Sequence, residues 1–187
     1  MVPGRAGPYD AGVPPRPALF LDRDGTLIED VDYLTRVEQI RLLPEAAAAV
    51  RAANEAGIPI VLVSNQSAIA REMLTEEGLA GIHAELTLRL AAHGARLDAF
   101  YYCPHLPEAG ASPHRRACDC RKPAPGMLLR AAREHALDLT RSGAIGDHPR
   151  DIEAARRAGC PHLRLIASPA ELPQAVAEIV HKMRFLA

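Results

Sequence analysis

The stretch Ala18-Leu19-Phe20-Leu21-Asp22-Arg23-Asp24-Gly25-Thr26 decides how the rest of the chain is read. Its first four residues form an unbroken apolar run, the pattern of a strand buried on both faces of a parallel sheet. The run ends in two carboxylates two residues apart, followed by Gly25, which lets the backbone turn sharply. At the carboxyl end of a parallel strand, both acids face the crevice in which open α/β sheets bind their ligands. One carboxylate there can act as nucleophile and ligate a divalent ion, while the other transfers protons. Taken by itself, the pentapeptide also reads as an acidic turn of capping and solvated residues.

Outward from that stretch, four more apolar runs repeat its form. Ile58-Pro59-Ile60-Val61-Leu62-Val63 is the strongest, with Pro59 at the strand's beginning and Ser64 just past its end. Leu97 to Tyr102, Gly143 to Gly146 and His162 to Ala167 supply the third, fourth and fifth. Helical patterns lie between them. Pro44 precedes Glu45–Ala56, which Gly57 stops. Thr75 caps a helix whose Leu79, Ile82, Leu86 and Leu90 recur at helical spacing up to Gly94. Pro125 opens another, and Asp151–Ala158 ends at Gly159. Ser168-Pro169-Ala170-Glu171 has the form of a capping box before a last helix. This alternation predicts the α/β class, a Rossmann-like doubly wound parallel sheet. Met1 to Pro17, with five prolines, three glycines and no apolar period, reads as a flexible N-terminal arm; residues 18–187 read as one domain.

Two further motifs sit at strand ends. Ser64-Asn65-Gln66 offers a small hydroxyl and then backbone N–H groups entering a turn, which suits phosphate oxygens, although Ser-Asn is also a common cap. Gly146-Asp147 follows the fourth run, with Asp151 four residues on. Asp147 can complete an oxygen shell for Mg²⁺ with Asp151 supporting it; alternatively the acids serve the dipole of a helix start. Asp22, Ser64 and Asp147 each fall just beyond a different strand, and in a parallel sheet those ends share one edge. Convergence of the three on one edge points to catalysis.

The chain has 22 cationic residues, of which only Lys122 and Lys182 are lysines. A lysine kept at Lys122, in Arg121-Lys122-Pro123, suggests a compact point charge to balance phosphate and nucleophile, whereas Lys182 reads as a solvated side chain. Cys103-x-His105, then twelve residues, then Cys118-x-Cys120 supplies three thiolates and an imidazole, a closed tetrahedral Zn²⁺ set of the structural kind. His114 is a weaker competing ligand, and Cys160 reads as a free thiol. The loop between the pairs carries Arg115 and Arg116, which zinc would hold over the crevice.

Composition narrows the function. With 187 residues the chain can bury a substantial single core, and 48% apolar with 24% charged residues is ordinary globular usage. A net charge of −1 provides no field for nucleic acid or anionic membranes, and no apolar run reaches the roughly 20 residues of a membrane span. The first 17 residues lack the pattern of a signal peptide. Clustered cysteines fit a reducing cytoplasm, and nothing calls for an obligate partner, so a cytoplasmic monomer is expected.

Together these residues resemble the haloacid dehalogenase superfamily of phosphotransferases, from Ala18 to about Ala167. DRDGT at Asp22 is similar to its first motif, SNQ at Ser64 to its second, RKP with Lys122 to its third and GDHPRD at Asp147 to its fourth. Within the superfamily, CPH…CDCRKPAPGML, SNQSAIAR, YYCPH and Asp32-Tyr33-Leu34 resemble the zinc-containing D-glycero-D-manno-heptose 1,7-bisphosphate 7-phosphatases. That resemblance implies Asp22 as nucleophile, Asp24 as acid and base, and Mg²⁺ on the side chains of Asp22 and Asp147 and the carbonyl of Asp24. It implies that Ser64 and Lys122 hold the phosphoryl group. Asn65, Gln66, Arg121, Arg115 and Arg116 would lie on the substrate side, with the zinc loop in place of a large cap domain. Ala68 and Glu72 stand where glycines are typical, and His148 where a lysine often follows the motif acid. These departures bear on the substrate, not the chemistry, and histidinol-phosphate phosphatases share the fold, the acids and a similar zinc loop.

Overall fold

The computed structural model of the chain describes residues 14–109 and 113–185. Five strands, β1 (Leu19–Leu21), β2 (Ile60–Asn65), β3 (Ala99–Cys103), β4 (Gly143–Gly146) and β5 (His162–Leu165), form one sheet in the order β3-β2-β1-β4-β5. Every pairing is parallel. The helices are α1 (Ala46–Glu55), α2 (Ser67–Ala70), α3 (Glu76–Ala91), α4 (Gly126–His135), α5 (Pro149–Ala158) and α6 (Leu172–Phe185).

The pleat of the strands divides the core in two. Leu19 and Leu21 of β1, with Ile60 and Leu62 of β2, face a cluster that includes residues of α1, α3 and α6. Phe20, Val61 and Val63 face the opposite way, toward Met127, Leu128 and Ala131 of α4 and Ala154 and Ala155 of α5. Burial on both faces is why these strands read as continuous apolar runs. Strand order reverses between β1 and β4, and Leu21 lies beside both Leu62 and Ile145. A crevice therefore opens where the chain leaves β1, β2 and β4.

Local signals hold in most places. The Thr75 hydroxyl accepts the Gly78 N–H at 3.0 Å, as expected of the α3 cap. Two helix starts differ. Helix α5 begins at Pro149, two residues before Asp151, because proline suits a first turn that needs no N–H. Ser168 makes no side-chain cap. The Glu171 N–H that its hydroxyl would accept is bonded instead to the Ser168 carbonyl at 3.1 Å, closing a 3-10 turn over Pro169–Glu171. The Glu171 carboxylate accepts the Ala167 N–H at 3.2 Å.

Residues 1–13 of the N-terminal arm lie outside the described residues. Near its end, the Arg16 N–H donates to the Ala136 carbonyl at 3.2 Å, and the Arg16 carbonyl accepts the Asp138 N–H at 2.9 Å. Among the described residues, no helix is long and apolar enough to cross a membrane.

Candidate active site

Asp22 and Asp147 directly follow β1 and β4 as predicted, whereas Ser64 is not past its strand but is the penultimate residue of β2, which pairs with β3 as far as Asn65. Asp22 and Lys122 are both buried. The Lys122 Nζ lies 2.7 Å from Asp22 Oδ1 and 2.7 Å from Asp151 Oδ1, and donates to the Val63 carbonyl at 2.8 Å. The Asp22 and Val63 oxygens accept hydrogen bonds from the ammonium, whereas Asp151 Oδ1 meets it as an ion pair without one, so Lys122 faces the crevice as a charge. Burial pulls its pKa down, but the carboxylates of Asp22 and Asp151 outweigh that and hold it above its ordinary value.

Lys122 is itself held by the backbone. Its N–H donates to the Asn65 Oδ1 at 3.0 Å, and its carbonyl accepts the Asn65 amide at 3.1 Å. The Lys122–Pro123 peptide is cis. Asn65, expected on the substrate side, thus brackets the lysine while also lining the cavity. Asp151 serves two partners, since its Oδ2 also accepts the His148 N–H at 3.0 Å across the first turn of α5. The helix-start role read from the sequence is seen in the His148 contact, and the same carboxylate also pairs with Lys122.

Carboxylate oxygens of Asp22, Asp147 and Asp151 all lie within 4.8 Å of one another. Three carboxylates against one ammonium leave two negative charges, and a buried oxygen, Asp147 Oδ1, has no hydrogen-bond partner among the described residues. Burial and the charge of Asp22 push the Asp147 pKa up. An orphaned oxygen in an unbalanced acidic cluster fits a hard divalent cation such as Mg²⁺, which takes few carboxylates and keeps waters. Gly25 makes room for it: at φ 74°, an added Cβ would lie 2.2 Å from Asp147 Oδ2.

Asp24 sits at the mouth of the crevice. Its carboxylate accepts Arg23 Nε at 3.0 Å and Arg23 Nη2 at 2.9 Å, a side-by-side pair. Burial raises its pKa against the opposing charge of Arg23. Gln66, predicted to touch substrate, is 4% exposed and donates to the Ser64 Oγ at 2.6 Å and to Asp24 Oδ2 at 3.3 Å.

The cavity in front of these groups has a volume of about 190 Å³. Asp22, Asp24, Ser64, Asn65, Arg121 and Lys122 line it, joined by Asp30, Asp32, Tyr33, Ser67 and Arg150. Arg115 and Arg116 are exposed and are not among the lining residues. Nor is His148, whereas Arg150, two residues on, does line the cavity. The sequence carries no signal for Arg150, since the direction of an arginine in the first turn of a helix is set by its tertiary neighbours. The arrangement as a whole can hold an anion beside a charge-balanced nucleophile, with a second acid at the mouth.

The four ligand candidates of the second cluster also come together. Cys103 Sγ lies 3.1 Å from Cys120 Sγ and 3.5 Å from Cys118 Sγ, and His105 Nδ1 lies 3.3 Å from Cys120 Sγ. Ligands at zinc–sulfur distance on a tetrahedron are separated by about 3.7 Å, so the set fits such an ion. Residues 110–112 of the intervening loop lie outside the described residues; the Leu106 N–H bonds the His114 carbonyl at 3.1 Å across it. Arg121 donates to the His105 carbonyl at 3.1 Å, which ties the crevice cations to the cluster.

A family model for haloacid dehalogenase-like hydrolases matches residues 29–159. The chain belongs to that family. This hydrolase is 42% identical over 154 residues to the D-glycero-beta-D-manno-heptose-1,7-bisphosphate 7-phosphatase of Rhodopseudomonas palustris, covering 82% of this chain and 86% of that one. It is 47% identical over 150 residues to the D-glycero-D-manno-heptose-1,7-bisphosphate 7-phosphatase of Thermosynechococcus vestitus, covering 78% and 76%. Among solved structures, the hydrolase superposes with a TM-score of 0.74 on the D,D-heptose 1,7-bisphosphate phosphatase of B. bronchiseptica complexed with magnesium and phosphate. That pair shares 31% identity over 91% of this chain and 99% of the other.

Proposed function

We propose that this hydrolase removes the C7 phosphate of D-glycero-D-manno-heptose 1,7-bisphosphate, feeding the activated heptose of cell-surface polysaccharide. The observation that carries the reading is the buried Asp22–Lys122–Asp151 arrangement beside the orphaned Asp147 oxygen. Relatives above 40% identity with that named activity supply the substrate.

In the proposed reaction, the Asp22 carboxylate attacks the C7 phosphorus and forms an acyl phosphate. As the bond from phosphorus to the sugar oxygen breaks, that oxygen takes the proton of Asp24. The Asp24 carboxylate then removes a proton from water, whose oxygen attacks the same phosphorus; inorganic phosphate leaves and Asp22 is restored. Ser64 and the charge of Lys122 hold the phosphoryl group, and the rate comes from positioning and charge stabilisation. Asp22, Asp147 and the Asp24 carbonyl would hold Mg²⁺, which offsets the charge of the phosphoryl oxygens. Cys103, His105, Cys118 and Cys120 would hold a structural Zn²⁺. Arg121 and Arg150 both line the cavity that would take the substrate. The protein is proposed to work as a cytoplasmic monomer, since a thiol-rich zinc site needs reduced cysteines.

Phosphate release from the heptose bisphosphate and from histidinol phosphate, with Mg²⁺ and with Asp22→Asn as blank, tests the reading. Preference for the bisphosphate with the C1 phosphate retained is expected. Preference for histidinol phosphate would overturn the substrate, and turnover by Asp22→Asn would overturn the nucleophile.

A further inference from the structure

Behind the proton-transfer carboxylate lies a polar group that neither the mechanism nor the substrate uses. Arg23 is 1% exposed and is among the largest fully buried side chains of the protein. Burying a guanidinium beside one carboxylate is rarely a net gain in stability over apolar packing. Its Nη1 has no hydrogen-bond partner among the described residues, so the group is not there to complete a core network.

The remaining bonds run in one direction. A guanidinium only donates, so the Gln66 oxygen must be the atom that accepts Arg23 Nη2 at 3.0 Å. That fixes the amide, and the Gln66 nitrogen then faces Asp24 Oδ2 at 3.3 Å and Ser64 Oγ at 2.6 Å. Each oxygen of Asp24 therefore has a donor directed at it: Arg23 Nε for Oδ1, Arg23 Nη2 and Gln66 Nε2 for Oδ2. A carboxylate on a turn would otherwise rotate freely about its side-chain bonds, and proton transfer demands placement within a few tenths of an ångström.

We infer that Arg23 and Gln66 are positioning residues, a buried fork and amide that hold the Asp24 carboxyl at the angle from which it protonates the leaving sugar oxygen. The inference rests on the proposed role of Asp24, and its test separates the two. Heptose bisphosphate has an alkoxide leaving group that needs a proton, whereas the p-nitrophenolate of p-nitrophenyl phosphate departs without one. The value of kcat/KM, which reports the steps up to leaving-group departure, is measured for both substrates in Asp24→Asn, Gln66→Leu, Arg23→Met and the double variant Asp24→Asn/Gln66→Leu.

Each single variant is expected to lose at least about ten-fold more kcat/KM on the bisphosphate than on the aryl phosphate. The double variant should show no larger selective loss than Asp24→Asn, because Gln66 acts through Asp24. Gln66→Leu nearly preserves side-chain volume and carries the test if Arg23→Met does not fold. Equal losses on both substrates in Gln66→Leu, with a selective loss in Asp24→Asn, would overturn the positioning role alone. No selective loss in Asp24→Asn would overturn the acid assignment and this inference with it.

Discussion

Glu72 follows α2 with φ at 58°, in the left-handed region where a side chain costs roughly 1 kcal/mol or more and glycine costs nothing. The side chain is exposed and lies outside the cavity lining. Glu72→Gly should therefore raise the unfolding free energy by about 1 kcal/mol in urea titration, with unchanged KM; a loss of stability would contradict the strain. Ala68, the other departure from the glycine pattern, has no positive φ and packs buried in α2, where a methyl is an asset. Gly25 is the opposite case. With 2.2 Å from an added Cβ to Asp147 Oδ2, Gly25→Ala should lower kcat at least about 100-fold by displacing the acid, in a protein that still folds. Sequence order pointed to Asp22 and Asp147 because strand ends fix their height on the sheet, and to Lys122 because lysine is scarce in the chain. It gave no sign that Arg150 lines the cavity or that Gln66 bonds Ser64 and Asp24, because side-chain direction within a turn depends on tertiary partners.

Helix α3 carries one buried residue that apolar spacing does not explain. His83 stacks on Phe100 of β3 with ring centroids 4.6 Å apart, and its Nε2 has no partner among the described residues. Burial, with the charge of Arg23 added, lowers its pKa to about 3. The unfolded chain takes up a proton near pH 6.5 that the folded chain refuses, so His83 contributes full stability above pH 6.5 and loses it as pH falls toward 3. At about 1.4 kcal/mol per pH unit, the loss by pH 5 is about 2 kcal/mol. His83→Phe should remove that part of the acid destabilisation between pH 7 and pH 5; an unchanged difference would show that His83 does not titrate as argued. The central strands β1, β2 and β4 were legible because they are buried on both faces, whereas the edge strands β3 and β5 are only partly buried. The capping box read at Ser168 does not form, because the backbone of a 3-10 turn claims the N–H that the hydroxyl needed.

On the scale of the whole molecule, the sheet order brings acids far apart in sequence to one edge. That convergence follows from counting strand ends, whereas the charge imbalance it creates needs coordinates. Asp22, Asp147 and Asp151 repel one another, and Lys122 cancels only one of the three charges. The fold therefore carries a destabilising cluster of acids at this edge, as the proposed cation site would require. Without divalent ions, Asp147→Asn should raise the unfolding free energy by about 1 kcal/mol, since it removes a charge that burial and Asp22 both oppose. Adding Mg²⁺ should raise the Tm of the wild type progressively, as expected for a ligand that binds only the folded state, and should leave Asp147→Asn nearly unmoved. Calorimetry on both proteins, with and without Mg²⁺, reads the two effects independently of turnover. A variant less stable than the wild type in the absence of metal would mean that Asp147 is held by interactions other than the proposed cation. An equal Mg²⁺ shift in both proteins would move the cation away from Asp147.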